Sequence, residues 1–219
     1  MSETGQDLYD IRFDADAAAA KDRIWREIVR FLGRWIDATA PVLDIGCDRG
    51  HFIRFARGSE RWATDIRDVG ASLPDDIRFV RASGLDLATL LPPRHFGTVF
   101  MSNYLEHLPS QDAVIEQLRV ARELLRPNGR VIVLQPNIRL VGARYWDFID
   151  HKVALTESSL VEAASIAGLR TEKVVVRFLP YSTKGRLPAD PALVRLYLRL
   201  PIAWRFLGKQ TLYVGSAGS

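Results

Sequence analysis

Cysteine is nearly absent from this chain: its 219 residues contain one, Cys47. No intrachain disulfide can form, and a reducing compartment follows most simply. Long apolar runs are missing too, since no stretch approaches the roughly 18 to 20 residues of a membrane span. The segment MSETGQDLYDIRFDADAAAAKD has no basic part leading into an apolar one, so it does not read as a secretion signal. There is no internal repeat, no low-complexity segment beyond the small tract 17–20, and no linker that would split off a second folded unit. These absences predict a single cytoplasmic domain over 1–219, with a helical cap over 1–39.

What remains suits a packed core: 47% of residues are hydrophobic and 26% charged. The formal net charge is +4, but it is unevenly placed. Residues 177–210 carry Arg177, Lys184, Arg186, Arg195, Arg199, Arg205 and Lys209 against the single acid Asp190, a local net of +6. The rest of the chain is therefore slightly acidic, at −2.

Strand and helix signals alternate along the first two thirds. Ile24, Ile28, Phe31 and Trp35 form one stripe of an amphipathic helix over 17–37. PVLDIG reads as a buried strand, HFIRFA as the first turns of a helix, and RWATDI and DIRFVRA as two more strands. FGTVFMSN is continuously apolar, as a strand covered on both faces should be. Ser110 is placed to cap a helix through Leu125, a turn follows at 126–129, and RVIVLQP is the fifth strand. After Pro136 come a helix from Thr156 to Gly168 and the strands TEKVVVRFLP and KQTLYVG, with about thirty residues (181–208) between them. The alternation predicts a doubly wound, mostly parallel α/β sheet, and the long insertion interrupts its end.

The loop after the first strand, Asp44-Ile45-Gly46-Cys47-Asp48-Arg49-Gly50, is the clearest chemical signal. A dinucleotide loop would read G-x-G-x-x-G; this one reads G-x-x-x-G with an acid inside, and it lacks the Gly-Lys-Ser/Thr ending of a phosphate loop. Asp65, at the end of the second strand, can accept both hydroxyls of a ribose. Loop and acid together favour an adenosine whose other end is not a phosphate.

VLDIGCDRG, ATDI, FGTVFMSNYLEHL and LLRPNGRVIVLQPN follow one another in the order and spacing of known motifs. In them the chain resembles the class I S-adenosylmethionine-dependent methyltransferases. The resemblance implies a Rossmann-like, seven-stranded sheet with an antiparallel last strand, and S-adenosylmethionine as cofactor. It also implies that Asp44, Gly46, Cys47 and Gly50 shape the pocket for the methionine end. Asp65 and Ile66 would meet the ribose side, Ser83, Gly84 and Leu85 would lie near the adenine, and Asn103 and Tyr104 would flank the sulfonium. Two positions depart from the family: Asp48 stands where a second glycine is common, and Gly97 where an acid is common.

Acceptor chemistry is less legible. Of the four histidines, His51 and His95 read as solvated, and His107, beside Glu106 in YLEHL, suits either base catalysis or a structural or cofactor-side role. His151, in ARYWDFIDHKVALT, could meet the acceptor or take its proton, with Asp150 orienting it and Tyr145 and Trp146 walling the pocket. Loop capping by Asp147, Asp150 and His151 is the plain alternative. No metal ligand set is assigned. More loosely, residues 135–210 resemble bacterial methyltransferases of surface-glycan or lipid-linked saccharide assembly. That resemblance implies a small or lipid-linked acceptor and methylation of a hydroxyl. RNA or protein methylation, or a non-catalytic cofactor-binding scaffold, stand as alternatives. The segment PALVRLYLRLPIAWRFLGK mixes leucines and aromatics with Arg195, Arg199 and Arg205. It suits either peripheral contact of 181–208 with an anionic membrane or an ordinary packed helical pair, and a nucleic-acid surface is disfavoured.

Overall fold

A computed structural model describes residues 15–181 and 190–218. The start of the helical cap, Lys184 and Arg186 lie outside the described residues. Helix α1 (Ala15–Leu32) is followed by strands β1 (Val42–Ile45), β2 (Arg61–Asp65) and β3 (Ile77–Arg81). Then come the short helix α2 (Leu87–Leu90), β4 (Phe96–Ser102), α3 (Gln111–Leu124), β5 (Leu125–Pro136) and the short α4 (Ile138–Val141). The chain closes with α5 (Glu157–Ile166), β6 (Arg170–Leu179), α6 (Pro191–Arg199), α7 (Pro201–Leu207) and β7 (Gln210–Ser216).

The strands form one seven-stranded sheet in the order β3-β2-β1-β4-β5-β7-β6. β7 runs antiparallel to both of its neighbours, and the pairs among β1 to β5 are parallel. Because side chains alternate across a strand, β4 and β5 feed two cores at once. Val99, Met101, Val131 and Val133 join the side covered by α3 and α5. Phe100, Ile132 and Leu134 join the side covered by α1 and α6. On that second side Phe100 stacks on Phe52 with centroids 3.7 Å apart, and Trp25 of α1 meets it edge-on.

Local chemistry fixes the element ends. Ser110 Oγ accepts from the Ala113 amide at 3.1 Å, and Thr156 and Ser159 form a reciprocal capping box at the start of α5. Pro201 divides the insertion into two helices: it cannot donate within α6, yet it suits the first turn of α7. None of the described helices is long and apolar enough to cross a membrane.

Two expectations need correction. HFIRFA forms isolated turns, closed by Arg54 N–H to Gly50 O and Ala56 N–H to Phe52 O, each 3.0 Å, and no regular helix. Gly58 brings the chain back against the first strand, where a Cβ would lie 2.8 Å from Val42 and 2.9 Å from the Ala40 carbonyl. At 126–129 the turn sits inside β5, with Asn128 at φ +62°, and regular pairing with β4 resumes at Arg130.

Candidate active site

Strand order reverses between β1 and β4, and ligands of open parallel sheets bind beyond the carboxyl ends at such a point. The β1 loop is anchored to β2 by Gly46 and Cys47, whose amides both donate to Thr64 O at 2.9 and 3.0 Å. Gly46 (φ +70°), Asp48 (φ +49°) and Gly50 (φ +73°) all take left-handed conformations, so the loop turns sharply outward. At Gly46 a Cβ would enter the Tyr104 ring. The Tyr104 hydroxyl in turn donates to Gln117 Oε1 of α3 at 2.8 Å, and a Cβ at Gly84 would strike both of those oxygens. Gly46, Gly84, Tyr104 and Gln117 are thus packed as one unit joining the ends of β1, β3 and β4.

Asp44 and Asp65 define the polar limits of this crevice. Asp44 is buried, and burial pushes its carboxyl well above the ordinary range; the Ile53 amide opposes that shift, and the charges of Asp65 and Asp48 add to it. Burial acts against the charge of Asp65 as well. There, hydrogen bonds and the charge of Arg67 outweigh it and hold the carboxyl below the ordinary range. The Arg67 amide and Nε donate to Asp65 Oδ1 at 2.9 and 3.1 Å, while Arg67 Nη2 and the Asp48 amide donate to Oδ2, each at 3.0 Å. Asp48, the residue in place of a glycine, also accepts from Arg67 Nη2 at 3.1 Å. Burial, with the neighbouring acids adding to it, pushes the Cys47 thiol far up, which leaves it a loop filler with no nucleophilic character.

Of the other predicted cofactor residues, Ser83 Oγ accepts from the Leu85 amide at 3.3 Å, and Gly84 is buried below Tyr104. Ile66 is exposed beside Asp65. Asn103 takes φ +47° and its amide donates to Leu134 O, which turns the chain toward the crevice. These residues fit S-adenosylmethionine. The Arg67 guanidinium already offers the Asp65 carboxylate two parallel donors, as the vicinal hydroxyls of a ribose would.

One strand further along the same edge, a second group of polar residues gathers. The short turn after β4 carries Glu106 and His107, and the segment after β5 carries Asp150 and His151. The Glu106 carbonyl accepts from the Lys152 and Val153 amides at 2.8 and 3.1 Å, which fastens the two segments together. The rings of His107 and His151 lie 5.1 Å apart. Asp150 faces His107: the His107 Nδ1 is 3.2 Å from the Asp150 carbonyl and 3.6 Å from its carboxylate. The expected orientation of His151 by Asp150 therefore gives way to one by aromatic rings. Phe148 stacks on His151 at 5.2 Å, and Tyr145 lies 4.7 Å from it.

Tyr145 is fully buried and donates to Val153 O at 2.5 Å. Trp146, predicted as its partner in the pocket wall, instead faces solvent at 53% exposure. Successive residues of this short helical turn cannot face the same side, so burying Tyr145 turns Trp146 out. His51 departs from expectation as well: it is buried under α1 with Nδ1 2.6 Å from Asp22. His95 is half-buried against Trp62 and Phe96.

Sequence reading passed over Glu106, Gln135, Tyr181 and Arg67. Glu106 is 1% exposed, and its carboxyl is pushed up to about 7, chiefly by burial. The Gln135 amide bears on both Glu106 and Tyr145 without a well-aligned hydrogen bond to either. The signal available was the placement of Glu106 between Leu105 and His107 in YLEHL; its burial was not readable from that pattern.

A family described as a methyltransferase domain matches residues 17–174, more than half of the chain. No curated protein matches significantly. Among solved structures, a SAM-dependent methyltransferase from Archaeoglobus fulgidus shares 17% identity at a TM-score of 0.62, covering 87% of this chain and 94% of that one. An S-adenosylmethionine-dependent methyltransferase from Mesorhizobium loti shares 16% identity at a TM-score of 0.62, with coverages of 86% and 95%. The N-methyltransferase NodS from Bradyrhizobium japonicum WM9 shares 13% identity at a TM-score of 0.59, with coverages of 89% and 94%. At such identities the structural likeness speaks for the fold, while the family match spans the loop, acid and strand ends just described. With this sheet order and a family match over residues 17–174, the chain belongs to the methyltransferase-domain family, and S-adenosylmethionine is its cofactor.

Proposed function

We propose that this methyltransferase transfers the methyl group of S-adenosylmethionine to a hydroxyl of a small or lipid-linked saccharide. The observation that carries this reading is the group of buried polar atoms beside the crevice. Glu106 Oε2, His151 Nδ1 and the Tyr181 hydroxyl are all buried without a hydrogen-bond partner. Each unpaired polar group costs about 1–3 kcal/mol, so an acceptor rich in hydroxyls recovers energy that an apolar acceptor would not.

Bound S-adenosylmethionine supplies an already activated methyl group, and the protein's task is alignment. Tyr104 and Asn103 bound the β4 end of the crevice, while Phe148, Tyr145 and Tyr181 wall the acceptor side. In transfer, the donor C–S bond would break with its electron pair on sulfur as the acceptor O–C bond forms, and the hydroxyl proton would leave to water at the Glu106–His107–His151 group.

Support for a lipid-linked acceptor comes from the insertion. β6 ends and β7 begins at the carboxyl edge of β5, so Tyr181, α6 and α7 belong to the same edge as the crevice. Leu193, Leu196, Leu200, Ile202 and Phe206 are exposed there, with Arg199 and Arg205 among them. Apolar side chains flanked by arginines suit peripheral contact with the cytoplasmic face of an anionic membrane.

Labelled methyl transfer into fractionated lysate tests the acceptor class. Label in lipid-extractable or small glycans supports the proposal; label confined to RNA or protein overturns it. Flotation with anionic vesicles at low and high salt tests the membrane contact, which fails if neither condition gives binding. On the identified acceptor, His151→Ala is expected to lower turnover at least tenfold, and full turnover would remove His151 from the site.

A further inference from the structure

We infer that Glu106, His107 and His151 form a binding site for a divalent transition-metal ion of the Zn²⁺ or Mn²⁺ class. One donor atom from each of the three side chains lies within 4.8 Å of the other two. A carboxylate and two imidazoles are a ligand set that favours such ions over Mg²⁺, which prefers an all-oxygen shell. Three protein ligands also leave a coordination position open, as catalytic metal sites do.

Two further observations point to a ligand here. Glu106 is 1% exposed, yet its Oε2 has no hydrogen-bond partner, and the buried His151 Nδ1 has none either. A structural carboxylate at this depth would normally be satisfied by the chain. In addition, His107 has the support typical of a ligating imidazole. Its Nδ1 sits 3.2 Å from the Asp150 carbonyl and 3.6 Å from the Asp150 carboxylate, which leaves Nε2 for an ion. The scaffold is also fixed in advance, because the amides of Lys152 and Val153 donate to the Glu106 carbonyl and hold the His151 segment against the Glu106–His107 turn.

Binding requires only these residues; the use of the ion rests on the methyl-transfer reading above. An acceptor hydroxyl in the open position would become more acidic, lose its proton to water and attack the donor methyl as an alkoxide held by the ion. Asp150 would then act as a positioning residue through His107.

Titration calorimetry of the chelator-stripped full chain with ZnCl₂ is the direct test, joined by the visible spectrum of the protein with CoCl₂. One saturable site per chain is expected, with ligand-field bands for Co²⁺ that lack a thiolate charge-transfer band. Glu106→Gln, His107→Asn and His151→Ala should each weaken Zn²⁺ binding about 100-fold or more, and Asp150→Asn about tenfold. His95→Gln, outside the cluster, should change nothing. Glu106 is buried and its variant can misfold, so circular dichroism is recorded for each protein; the partly exposed His107 supplies a variant that keeps the core intact. Absence of saturable binding, or binding that the His107 and His151 variants leave intact, overturns the site. S-adenosylmethionine binding is measured on the same samples. Cofactor binding without Zn²⁺ binding defeats this inference alone, and Zn²⁺ binding without cofactor binding defeats the methyl-transfer reading alone.

Discussion

Arg67 lies across the carboxylate of Asp65, with Nε 3.1 Å from Oδ1 and Nη2 3.0 Å from Oδ2. The carboxylate proposed to receive the ribose is thus held by an internal guanidinium, which a ribose bound there would displace. Asp65→Asn should weaken S-adenosylhomocysteine binding roughly 10- to 100-fold, the value of charge-assisted hydrogen bonds lost at a buried site. Arg67→Ala should tighten it several-fold, by about 1 kcal/mol at most. Calorimetry on both variants checks the pair, and weaker binding in Arg67→Ala would show that Arg67 holds the ligand rather than its place.

Gly46 combines a left-handed backbone with the Tyr104 ring against its α-carbon. Gly46→Ala should lose about 1–3 kcal/mol of stability in urea unfolding, together with most cofactor affinity. A variant of unchanged stability would mean that Tyr104 moves aside freely.

Tyr104 itself should separate ring from hydroxyl. Tyr104→Phe loses the 2.8 Å bond to Gln117, at about 1 kcal/mol, but keeps the ring over Gly46. Its cofactor affinity should stay close to that of the parent, whereas Tyr104→Ala should bind weakly. Equal losses in the two variants would assign the effect to the hydroxyl.

α1 is joined to α6 by a bidentate pair: Arg195 Nε and Nη2 donate to Glu27 at 2.9 and 2.8 Å. Those bonds hold the Glu27 carboxyl below its ordinary range, burial notwithstanding. A depressed folded value means that the stabilisation is present above the unfolded pKa, about 4.3, and is lost as pH falls through the folded value. Glu27→Gln should therefore be less stable than the parent at neutral pH, with the difference shrinking below about pH 4. Thermal melts across pH 3–7 read this directly, and a difference independent of pH would rule the linkage out.

Phe100 anchors the α1 side of the sheet through its stack on Phe52. Phe100→Ala should cost about 3–5 kcal/mol in denaturant unfolding, as large-to-small changes in tight cores do. A loss below about 1 kcal/mol would mean that Trp25 collapses into the space.

Much of the fold was legible because sheet strands and capped helices carry local signals. The alternation of Val99 and Met101 against Phe100, and the caps at Ser110 and Thr156, depend on neighbours a few residues away. HFIRFA misled because its apolar spacing suits a helix, while its conformation is governed by contact of Gly58 with β1. Around the site, the places of Asp65 and of the loop glycines were visible because they sit at strand ends. Arg67 was not, since nothing local tells which acid a flexible guanidinium will reach.

The sequence by itself determined the strand-and-helix alternation, the glycine turn after the first strand and the membership that goes with them, because each rests on short-range pattern. Tertiary structure alone decided that Asp150 faces His107, that Trp146 points outward, and that Glu106 meets His151. Those pairings join the ends of two different strands, and only the parallel packing of β4 beside β5 brings such distant residues to one edge of the sheet.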